Sequence, residues 1–334
     1  MSNMLVALVL NTRKDESEFE VEYDPPHTID LIKHGIEAAG HEYVFIEANE
    51  TVLENLQKIR PDLVFNRSEG LQGESRESHV PAILEMLGIP YIGANVLTTA
   101  VCLNKGWTKK ILSYHGILTP QFHIVSSLKE VDTLKFEYPV ILKPNEEGSS
   151  VGINEDNVVH NLTQLKAKLK DMLGEYVQSI LIEQFIEGRE FSVGTLGNSD
   201  GSLEVLPAVE IDFSSMPPEV GGVLGQRAKT ILDDLSHYIC PAITDNKTKK
   251  QLETISLDVC KYLEVPDFAR IDFRMDKKGH IYFLEINPLP GMDFDPEEQD
   301  ISFFPFMAMK ADYSYDELVR RLIESAKGRY GIST

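Results

Sequence analysis

The sequence predicts an α/β protein in which about the first 95 residues form a small doubly wound domain. Met4 to Leu10 is a continuous apolar run, which is typical of a strand in a buried parallel sheet. Segments with helical spacing then alternate with short apolar strands; the helices are predicted at 28–39, 52–59 and 80–87, and the strands at 43–46 and 62–65. This β-α-β-α-β order predicts a parallel sheet with helices on both faces.

The composition predicts a globular protein with more than one domain. With 334 residues, 42% of them hydrophobic, the chain is long enough for two or three cores. The net charge of −21 would repel nucleic acid and anionic membranes, so neither is expected as a partner. Three distant cysteines, a short N-terminal apolar run without a basic leader, and no run of membrane-spanning length predict a reduced, soluble, cytoplasmic protein.

A β-hairpin is predicted over 268–287, because apolar and polar residues alternate on both sides of a turn-rich segment. One face of this hairpin is expected to carry Arg270, Asp272, Phe283, Glu285 and Asn287. A turn that closes on Lys277 and Lys278 would place Arg270 opposite Glu285, with Asp272 one diagonal step away. A bulge at Gly279 would shift that register.

The oxygen donors on this face suit a divalent cation. Asp272, Glu285 and the Asn287 carboxamide are ligands that Mg2+ accepts when substrate phosphates complete its coordination. Arg270 beside them would oppose the charge of a phosphoryl group in transfer. The alternative is a surface hairpin whose polar face meets water. The run from Pro288 to Gly291 weighs against that alternative, since rigid prolines and a glycine that can expose backbone N–H follow a ligand-type residue.

A strand that ends in a lysine predicts a phosphate site. Residues 138–144 are mainly apolar up to Lys143, and a polar loop containing Gly148, Ser149 and Ser150 follows at once. Backbone N–H groups of such a loop can approach phosphate oxygens, to which the lysine adds a positive charge. The loop fits neither the P-loop nor the dinucleotide-binding spacing, so alone it indicates nucleotide binding only weakly.

Three stretches resemble the ATP-grasp ligases of the D-alanine:D-alanine ligase-like group. They are LEMLGIPYIGANVLTTAVCLNKGWTKKIL at 84–112, RIDF at 270–273 and FLEINPLPGM at 283–292. The resemblance implies an ATP-grasp fold that is α+β in the nucleotide-binding part. It also implies three domains, at 1–97, 98–188 and 189–334.

The same resemblance implies a set of site residues. Those that would bind ATP are Lys105, Lys143, Ser149, Ser150, Glu183, Phe185, Ile186, Glu190 and Lys229. Those that would hold two Mg2+ ions, or Mn2+ in their place, are Asp272, Glu285 and Asn287. Arg270 and Lys229 would neutralise developing charge, and the backbone N–H near Gly291 would assist at a tetrahedral intermediate.

Such an enzyme would join two small molecules, a carboxylate and an amine. ATP phosphorylates the carboxylate, and the amine attacks the resulting acyl phosphate with release of ADP and phosphate. A homodimer is a further expectation from the family. A regulatory module that binds ATP without turnover is the alternative of another class, which the presence of every metal and phosphate residue disfavours.

The substrate side departs from the family pattern. The ligases place a histidine after the third strand, a tyrosine after the loop lysine and a serine-containing segment after the last glycine. This chain has Glu69, Thr230 and the acidic run from Asp293 to Asp300 at those places. We therefore expect substrates other than two D-alanines, with Glu69, Arg76 and Asp293 contacting them. A genuine D-alanine:D-alanine ligase is the alternative.

Overall fold

The computed structural model describes residues 3–14, 20–225, 234–295, 297 and 300–332. The strands are β1 (Leu5–Leu10), β2 (Glu42–Glu47), β3 (Leu63–Arg67), β4 (Tyr91–Ile92), β5 (Phe122–Val125), β6 (Val140–Pro144), β7 (Val158–Val159), β8 (Ile180–Gln184), β9 (Gly188–Leu196), β10 (Glu204–Val205), β11 (Val209–Ile211), β12 (Tyr238–Ile239), β13 (Phe268–Asp276), β14 (Ile281–Asn287), β15 (Phe294–Asp295) and β16 (Asp300–Ile301). The α-helices are α1 (Pro26–Ala38), α2 (Val52–Ile59), α3 (His79–Leu87), α4 (Val96–Leu103), α5 (Lys105–Tyr114), α6 (Leu162–Glu175), α7 (Asn246–Leu263), α8 (Phe303–Lys310) and α9 (Tyr315–Tyr330).

The first sheet is parallel and has the strand order β2-β1-β3-β4. Alternate β1 side chains enter different cores: Val6 and Leu8 pack with α1 and α9, whereas Ala7 and Val9 pack with α2 and α3. Gly35 of α1 permits the close approach of α9, because a Cβ there would lie 2.7 Å from a side-chain atom of the facing helix. Helices on both faces confirm the doubly wound domain, and the last helix of the chain completes one of its layers.

Two large antiparallel sheets follow among the described residues, together with the two-stranded sheet β15-β16. The second sheet has the order β5-β8-β6-β7 and packs against α6. The third has the order β12-β11-β9-β13-β14, with β10 beside β9, and α7 covers one face of it. We propose domain boundaries at 97/98 and 188/189, which give each domain one of the three large sheets. In the described part of the chain, no helix combines the length and the apolar character needed to cross a membrane.

The β13–β14 hairpin has a register two residues away from the predicted one. The expected pairing of Arg270 with Glu285 is wrong: Arg270 pairs with Asn287, and Asp272 pairs with Glu285. The turn contributes one residue of the difference. It is one residue longer than predicted, and Gly279 in it takes the left-handed φ of +85° that glycine tolerates.

A β-bulge contributes the other residue of the difference. Leu284 falls between the pairs Asp272–Glu285 and Phe273–Phe283, so one strand carries an extra residue there. Phe283 therefore packs in the core, although the alternation predicted it on the polar face. One shift of one residue would place the polar side chains of the two strands on opposite faces, and the second shift returns them to the same face. Four of the predicted side chains therefore still lie together. We call them the polar face: Arg270, Asp272, Glu285 and Asn287.

Candidate active site

The polar face lies where two cavities meet. The larger cavity has a volume of about 290 Å³ and the smaller one about 80 Å³. Arg270 and Glu285 line both cavities, whereas Asp272 lines the smaller and Asn287 the larger. The structure thus brings the three predicted metal ligands together at the junction of the cavities.

Positive side chains surround the two carboxylates of the polar face. Arg270 Nε donates to both oxygens of Asp272 at 3.1 Å, and Lys105 Nζ lies 3.5 Å from Glu285 Oε2. Burial acts to lower the pKa of Arg270, but the adjacent Asp272 carboxylate raises the pKa above its ordinary value. Ser192 Oγ also donates to Asp272, at 2.5 Å, and so fixes the carboxylate from the neighbouring strand. The arrangement is suited to binding anionic phosphates close to a cation.

The donor set fits Mg2+ that is bound together with phosphates. Two carboxylates and one amide leave octahedral coordination incomplete, and Mg2+ usually completes it with water and phosphate oxygens. Among the described residues, no three His, Cys, Asp or Glu side chains could hold a metal ion by themselves. Lys105 and Arg270 line the larger cavity together with Glu285 and Asn287. Lys229, the further predicted phosphate contact, and its neighbour Thr230 lie outside the described residues.

A buried ion cluster supports the wall of the smaller cavity. Glu183 Oε2 lies 2.8 Å from Lys109 Nζ, and Glu183 Oε1 lies 2.7 Å from Lys143 Nζ, with all three residues buried. Burial alone would raise the pKa of Glu183, but the two ammonium groups lower it below its ordinary value. The Glu183 carboxylate therefore fixes Lys143 at the cavity instead of lying free to accept from a ligand hydroxyl.

The smaller cavity has the apolar walls predicted for a nucleotide base. Phe185 and Ile186 follow β8 and line this cavity with Ile141 and Ile153. Glu190 lines it as well, and a carboxylate at this position suits a group that accepts from ribose hydroxyls. Three of the predicted ATP-binding residues, Phe185, Ile186 and Glu190, therefore line the same cavity.

Arg274 is a residue of this site that sequence reasoning missed, although it continues the polar alternation along β13. Its Nε donates to Glu190 Oε2 at 2.7 Å, and its Nη1 donates to the Ile186 carbonyl at 3.0 Å. The guanidinium also contacts the Gly222 carbonyl and lies 4.9 Å from the centre of the Phe185 ring. Arg274 therefore joins the base wall to the predicted ribose acceptor.

The phosphate loop, residues 145–152, lies over the junction of the cavities. Ser149 lines the larger cavity and Ser150 the smaller, and their φ angles are +46° and +62°. A left-handed conformation costs a non-glycine residue about 1–2 kcal/mol, so other contacts must hold the loop. Ser150 Oγ donates to the Leu224 carbonyl at 3.1 Å, and Lys105 Nζ donates to the Glu147 carbonyl. These contacts place the predicted serines against the polar face.

One end of the larger cavity lies beside Gly291 and contains a serine that sequence reasoning missed. Strands β15 and β16 pair and return the chain, so that Ser302 packs against Gly291, where a Cβ would overlap its hydroxyl. Ser302 N–H donates to the Asp293 carbonyl at 3.0 Å, and Thr28 Oγ1 donates to the Asp293 carboxylate at 2.7 Å. The Ser302 hydroxyl also donates to the Asp293 carboxylate at 3.2 Å, so a serine lies beside Gly291 together with the first residue of the acidic run. No spacing in the sequence indicated this return.

A further part of the larger cavity, which we call its acidic end, is lined by two buried acids. Glu69 and Glu77 line it and are 7% and 6% exposed. Burial raises the pKa of Glu77 to about 8 and raises the pKa of Glu69 well above its ordinary value. The Arg76 guanidinium, predicted to contact substrate, forms ion pairs with Glu22 at 2.7 Å and Glu147 at 3.2 Å instead. Of the two polar residues predicted at this end, Glu69 therefore lines the cavity and Arg76 supports its wall.

Arg67 ties the first domain to the glycine segment and was also missed. Its fully buried guanidinium donates to the carbonyls of Leu289 at 3.0 Å and Pro290 at 2.6 Å, and it pairs with Asp24 at 2.9 Å. Burial acts to lower the pKa of Arg67, but the Asp24 carboxylate outweighs this and raises it. The Arg67 bonds fix the backbone that leads into Gly291.

Comparison with known proteins identifies the family. Residues 111–324 match the family model described as the D-ala D-ala ligase C-terminus. The D-alanine--D-alanine ligase of Aquifex aeolicus is 33% identical over 323 residues, which is 96% of this chain and 100% of that protein. The chain belongs to the D-alanine:D-alanine ligase family. An uncharacterised protein of Sinorhizobium fredii is 33% identical over 310 residues, which covers 90% of this chain and 88% of that protein.

The solved structures agree with this assignment. A crystal structure of D-alanine--D-alanine ligase from Bacillus anthracis has a TM-score of 0.74 at 25% identity and covers 99% of this chain and 100% of that one. Membership of the D-alanine:D-alanine ligase family confirms the ATP-grasp fold. It makes the protein an ATP-dependent enzyme that forms a C–N bond, with ATP and Mg2+ as its cofactors. The donor chemistry of the polar face fits both.

For this D-alanine:D-alanine ligase family member, Arg274→Met is expected to raise the KM for ATP about tenfold or more. The substitution removes the charge-assisted bonds that hold Glu190 and the Ile186 carbonyl at the base pocket. The KM for the other substrates is expected to stay within about twofold, because Arg274 does not line the larger cavity. Steady-state kinetics of phosphate release measure both constants.

Arg189→Met is the matched control for Arg274→Met. Arg189 also lies in the third sheet and forms a two-bond pair with a carboxylate, Glu210 at 2.6 Å and 2.7 Å, but it lines neither cavity. We expect the control to keep the wild-type KM for ATP. Equal rises in both variants would contradict a role for Arg274 at the nucleotide.

The pKa of Glu77 predicts a pH-dependent stability. Because its pKa is about 8 in the folded protein and near 4.5 in the unfolded chain, the folded state binds more protons between those values. The free energy of unfolding should therefore fall as pH rises from 5 to 8. Glu77→Gln removes this penalty, so we expect it to match the wild type at pH 5 and to be more stable by at least about 1 kcal/mol at pH 8. Urea unfolding at both pH values measures the difference, and equal stabilities at pH 8 would contradict it.

Proposed function

We propose that this ligase joins the carboxylate of one amino acid to the amine of another through an acyl phosphate. The observation that supports the proposal is the position of Asp272, Glu285 and Asn287 where the smaller cavity, which contains Phe185 and Ile186, meets the larger one. A nucleotide whose base occupies the smaller cavity would direct its terminal phosphate at this junction. A carboxylate in the larger cavity would then lie within reach of that phosphate.

The chemistry overcomes the low reactivity of a carboxylate, whose oxygen is a poor leaving group. A carboxylate oxygen attacks the γ-phosphorus of ATP, the P–O bond to ADP breaks, and an acyl phosphate forms. The amine nitrogen of the second amino acid then attacks the carbonyl carbon. The C–O bond to phosphate breaks, phosphate leaves with the electron pair, and the surplus amine proton passes to solvent.

Each part of the site has a proposed task. Lys105 and Lys143 orient the nucleotide phosphates, and the N–H groups of the phosphate loop cover them. Arg270 and Lys229 oppose the charge that develops on the transferring group, and the backbone N–H near Gly291 donates to the oxyanion. Asp272, Glu285 and Asn287 would hold Mg2+, which would supply positive charge beside the phosphates.

We propose D-alanine as the amine-side substrate. The presence of Ser302 beside Gly291 supports this, because a serine there matches the family's contact to the second amino acid. The names of the Aquifex aeolicus relative and of others also contain D-alanine, which supports the same proposal for the amine side. The expectation of a different pair stays a prediction, and with Ser302 in place it rests on Glu69 and Thr230.

Ser302→Ala is expected to raise the KM for the amine-side amino acid about tenfold. The substitution removes from the larger cavity one hydroxyl, which donates to the Asp293 carboxylate at 3.2 Å, and Ser302 does not line the smaller cavity. The KM for ATP should stay within about twofold, and Ser215→Ala, an exposed position on another segment, should change neither constant. A comparable rise in the KM for ATP would contradict a substrate role for Ser302.

Phosphate release tests the proposed function. The protein is incubated with ATP, Mg2+ and amino acids of both chiralities, singly and in pairs. Released phosphate is measured, and the mass of the product is determined by mass spectrometry. We expect release that depends on amino acids and a dipeptide product. Robust release with D-alanine alone would make the protein a D-alanine:D-alanine ligase in the strict sense. Tight ATP binding without release for any pair would contradict the proposal and favour a regulatory module.

A further inference from the structure

We infer that the carboxylate-side substrate is an amino acid with a positively charged side chain, which the buried carboxylates of Glu69 and Glu77 bind. This inference rests on the proposed function and names the substrate class of its first site. Glu69 and Glu77 line the larger cavity, and the proposed ligation chemistry assigns no role to either residue.

Both carboxylates lie buried in the cavity wall without a partner. Glu69 and Glu77 are 7% and 6% exposed and line the cavity, and neither side chain forms a hydrogen bond or an ion pair with any other described residue. Their positions are fixed by the backbone. Glu69 N–H donates to Asn11 Oδ1 at 3.0 Å, and Gly70 packs so closely on the turn at 76–78 that a Cβ would overlap it. Two acids held in this way are poised for a ligand.

The cationic side chains around this cavity are occupied by other partners. Arg13 donates to the carbonyls of residues 21 and 23, both at 3.0 Å. Arg67 pairs with Asp24, and Lys105 lies at Glu285 and the carbonyl of residue 147. Arg76, behind the wall, pairs with Glu22 and Glu147. In the described part of the chain, none of these bases forms an ion pair with Glu69 or Glu77.

The number and setting of the charges indicate the ligand. Two unpaired carboxylates match two positive charges, which a diamino acid offers as its α-ammonium group and its side-chain ammonium. A metal ion is a poorer match, because no three acids, histidines or cysteines in the described ranges converge closely enough to hold one. Burial raises the pKa of Glu69 and of Glu77. A cation bound beside them would lower both pKa values and so favour the charged carboxylates.

The site also lies at a suitable place for the first substrate. Lys105 contacts Glu285 on the polar face, and its charge also acts on Glu77 from the other side. A substrate carboxylate at the polar face can therefore extend past Lys105, and its cationic groups can reach the acidic end. The amine-side substrate is proposed at Gly291 and Ser302, which line the same cavity.

A comparison of matched carboxylate donors tests the inference. D-ornithine and D-norvaline, and their L forms, have the same chain length but differ in the side-chain charge; each is supplied with ATP, Mg2+ and D-alanine. Tandem mass spectrometry shows which residue gives its carboxylate. We expect kcat/KM for ornithine to exceed that for norvaline by about 30-fold or more. Glu69→Gln and Glu77→Gln should lower the ornithine value and bring the ratio below about three, because they remove the charge and keep the shape.

The outcomes separate this inference from the proposed function. Glu74→Gln, an exposed acid of the same segment, should keep the wild-type ratio. Norvaline or alanine used by the wild type as well as ornithine would overturn the inference and leave amino-acid ligation standing, and so would an unchanged ratio in both variants. A thermal shift by Mg2+ alone that disappears in Glu77→Gln would assign the acids to a metal and overturn it as well. Absence of phosphate release with every pair would contradict the proposed function instead.

Discussion

Replacing Glu285 with glutamine is expected to lower kcat by more than about 100-fold. Loss of an outer partner of a metal ligand already costs about 10- to 100-fold, so loss of a carboxylate ligand should cost more. Glu285 is the sharper test of the two acids on the polar face, because its side chain is 27% exposed and the variant should fold. Asp272 is less suitable, since its removal would also leave Arg270 without its partner.

Phosphate release at increasing Mg2+ concentration measures the effect of Glu285→Gln. The apparent affinity for Mg2+ in the presence of ATP should fall together with kcat, whereas the thermal unfolding midpoint should stay near that of the wild type. Glu204→Gln is the control, because Glu204 lies in the same sheet but contacts Tyr313 and Arg321 outside both cavities. A Glu285→Gln enzyme with more than about a tenth of wild-type activity at equal Mg2+ would contradict the metal assignment.

The elements of the fold could be predicted wherever local pattern determines them. The apolar run in β1 and the helical spacing in α2 gave the observed bounds to within one residue. The register of the β13–β14 hairpin could not be predicted from local pattern. Alternation gives which side chains share a face, but the extra residue at Leu284 and the longer turn at Gly279 depend on geometry that alternation does not encode. Either shift alone would have placed Glu285 and Asn287 on the face away from Arg270 and Asp272. Phe283 lies between the turn and the bulge, and it is the residue that alternation predicted on the wrong face.

The site could be predicted where a residue acts from its own strand and could not where its partner is distant in sequence. Lys143, Asp272 and Glu285 belong to the first kind, since the strand that carries each one also aims it. Ser302 and Arg67 belong to the second. Ser302 contacts Gly291 only because the intervening residues form the paired strands β15 and β16, which return the chain. Arg67 donates to carbonyls that lie more than 200 residues further along the chain. Nothing in the local sequence marks either contact.

Replacing Glu183 with glutamine is expected to lower the free energy of unfolding by about 3–5 kcal/mol. Removing one partner from a buried ion cluster leaves the remaining charges without compensation. In this case two ammonium groups, of Lys109 and Lys143, would remain in a site that burial has removed from water. Lys143 would also lose the contact that fixes it at the smaller cavity, so a higher KM for ATP should accompany the loss of stability. Urea unfolding at neutral pH measures the first effect.

Glu187→Gln provides the comparison for Glu183→Gln, because Glu187 pairs with Lys277 at 3.3 Å where both side chains are more than half exposed. An exposed pair contributes about 0–1 kcal/mol, so the control should be nearly neutral. The pH dependence adds a second check. The folded-state pKa of Glu183 lies below its unfolded value, so its stabilisation is present at neutral pH and is lost as pH falls through the folded pKa. The gap between wild type and Glu183→Gln should therefore narrow in acid, and a gap that stays constant or widens would show that the cluster does not act through the charge of Glu183.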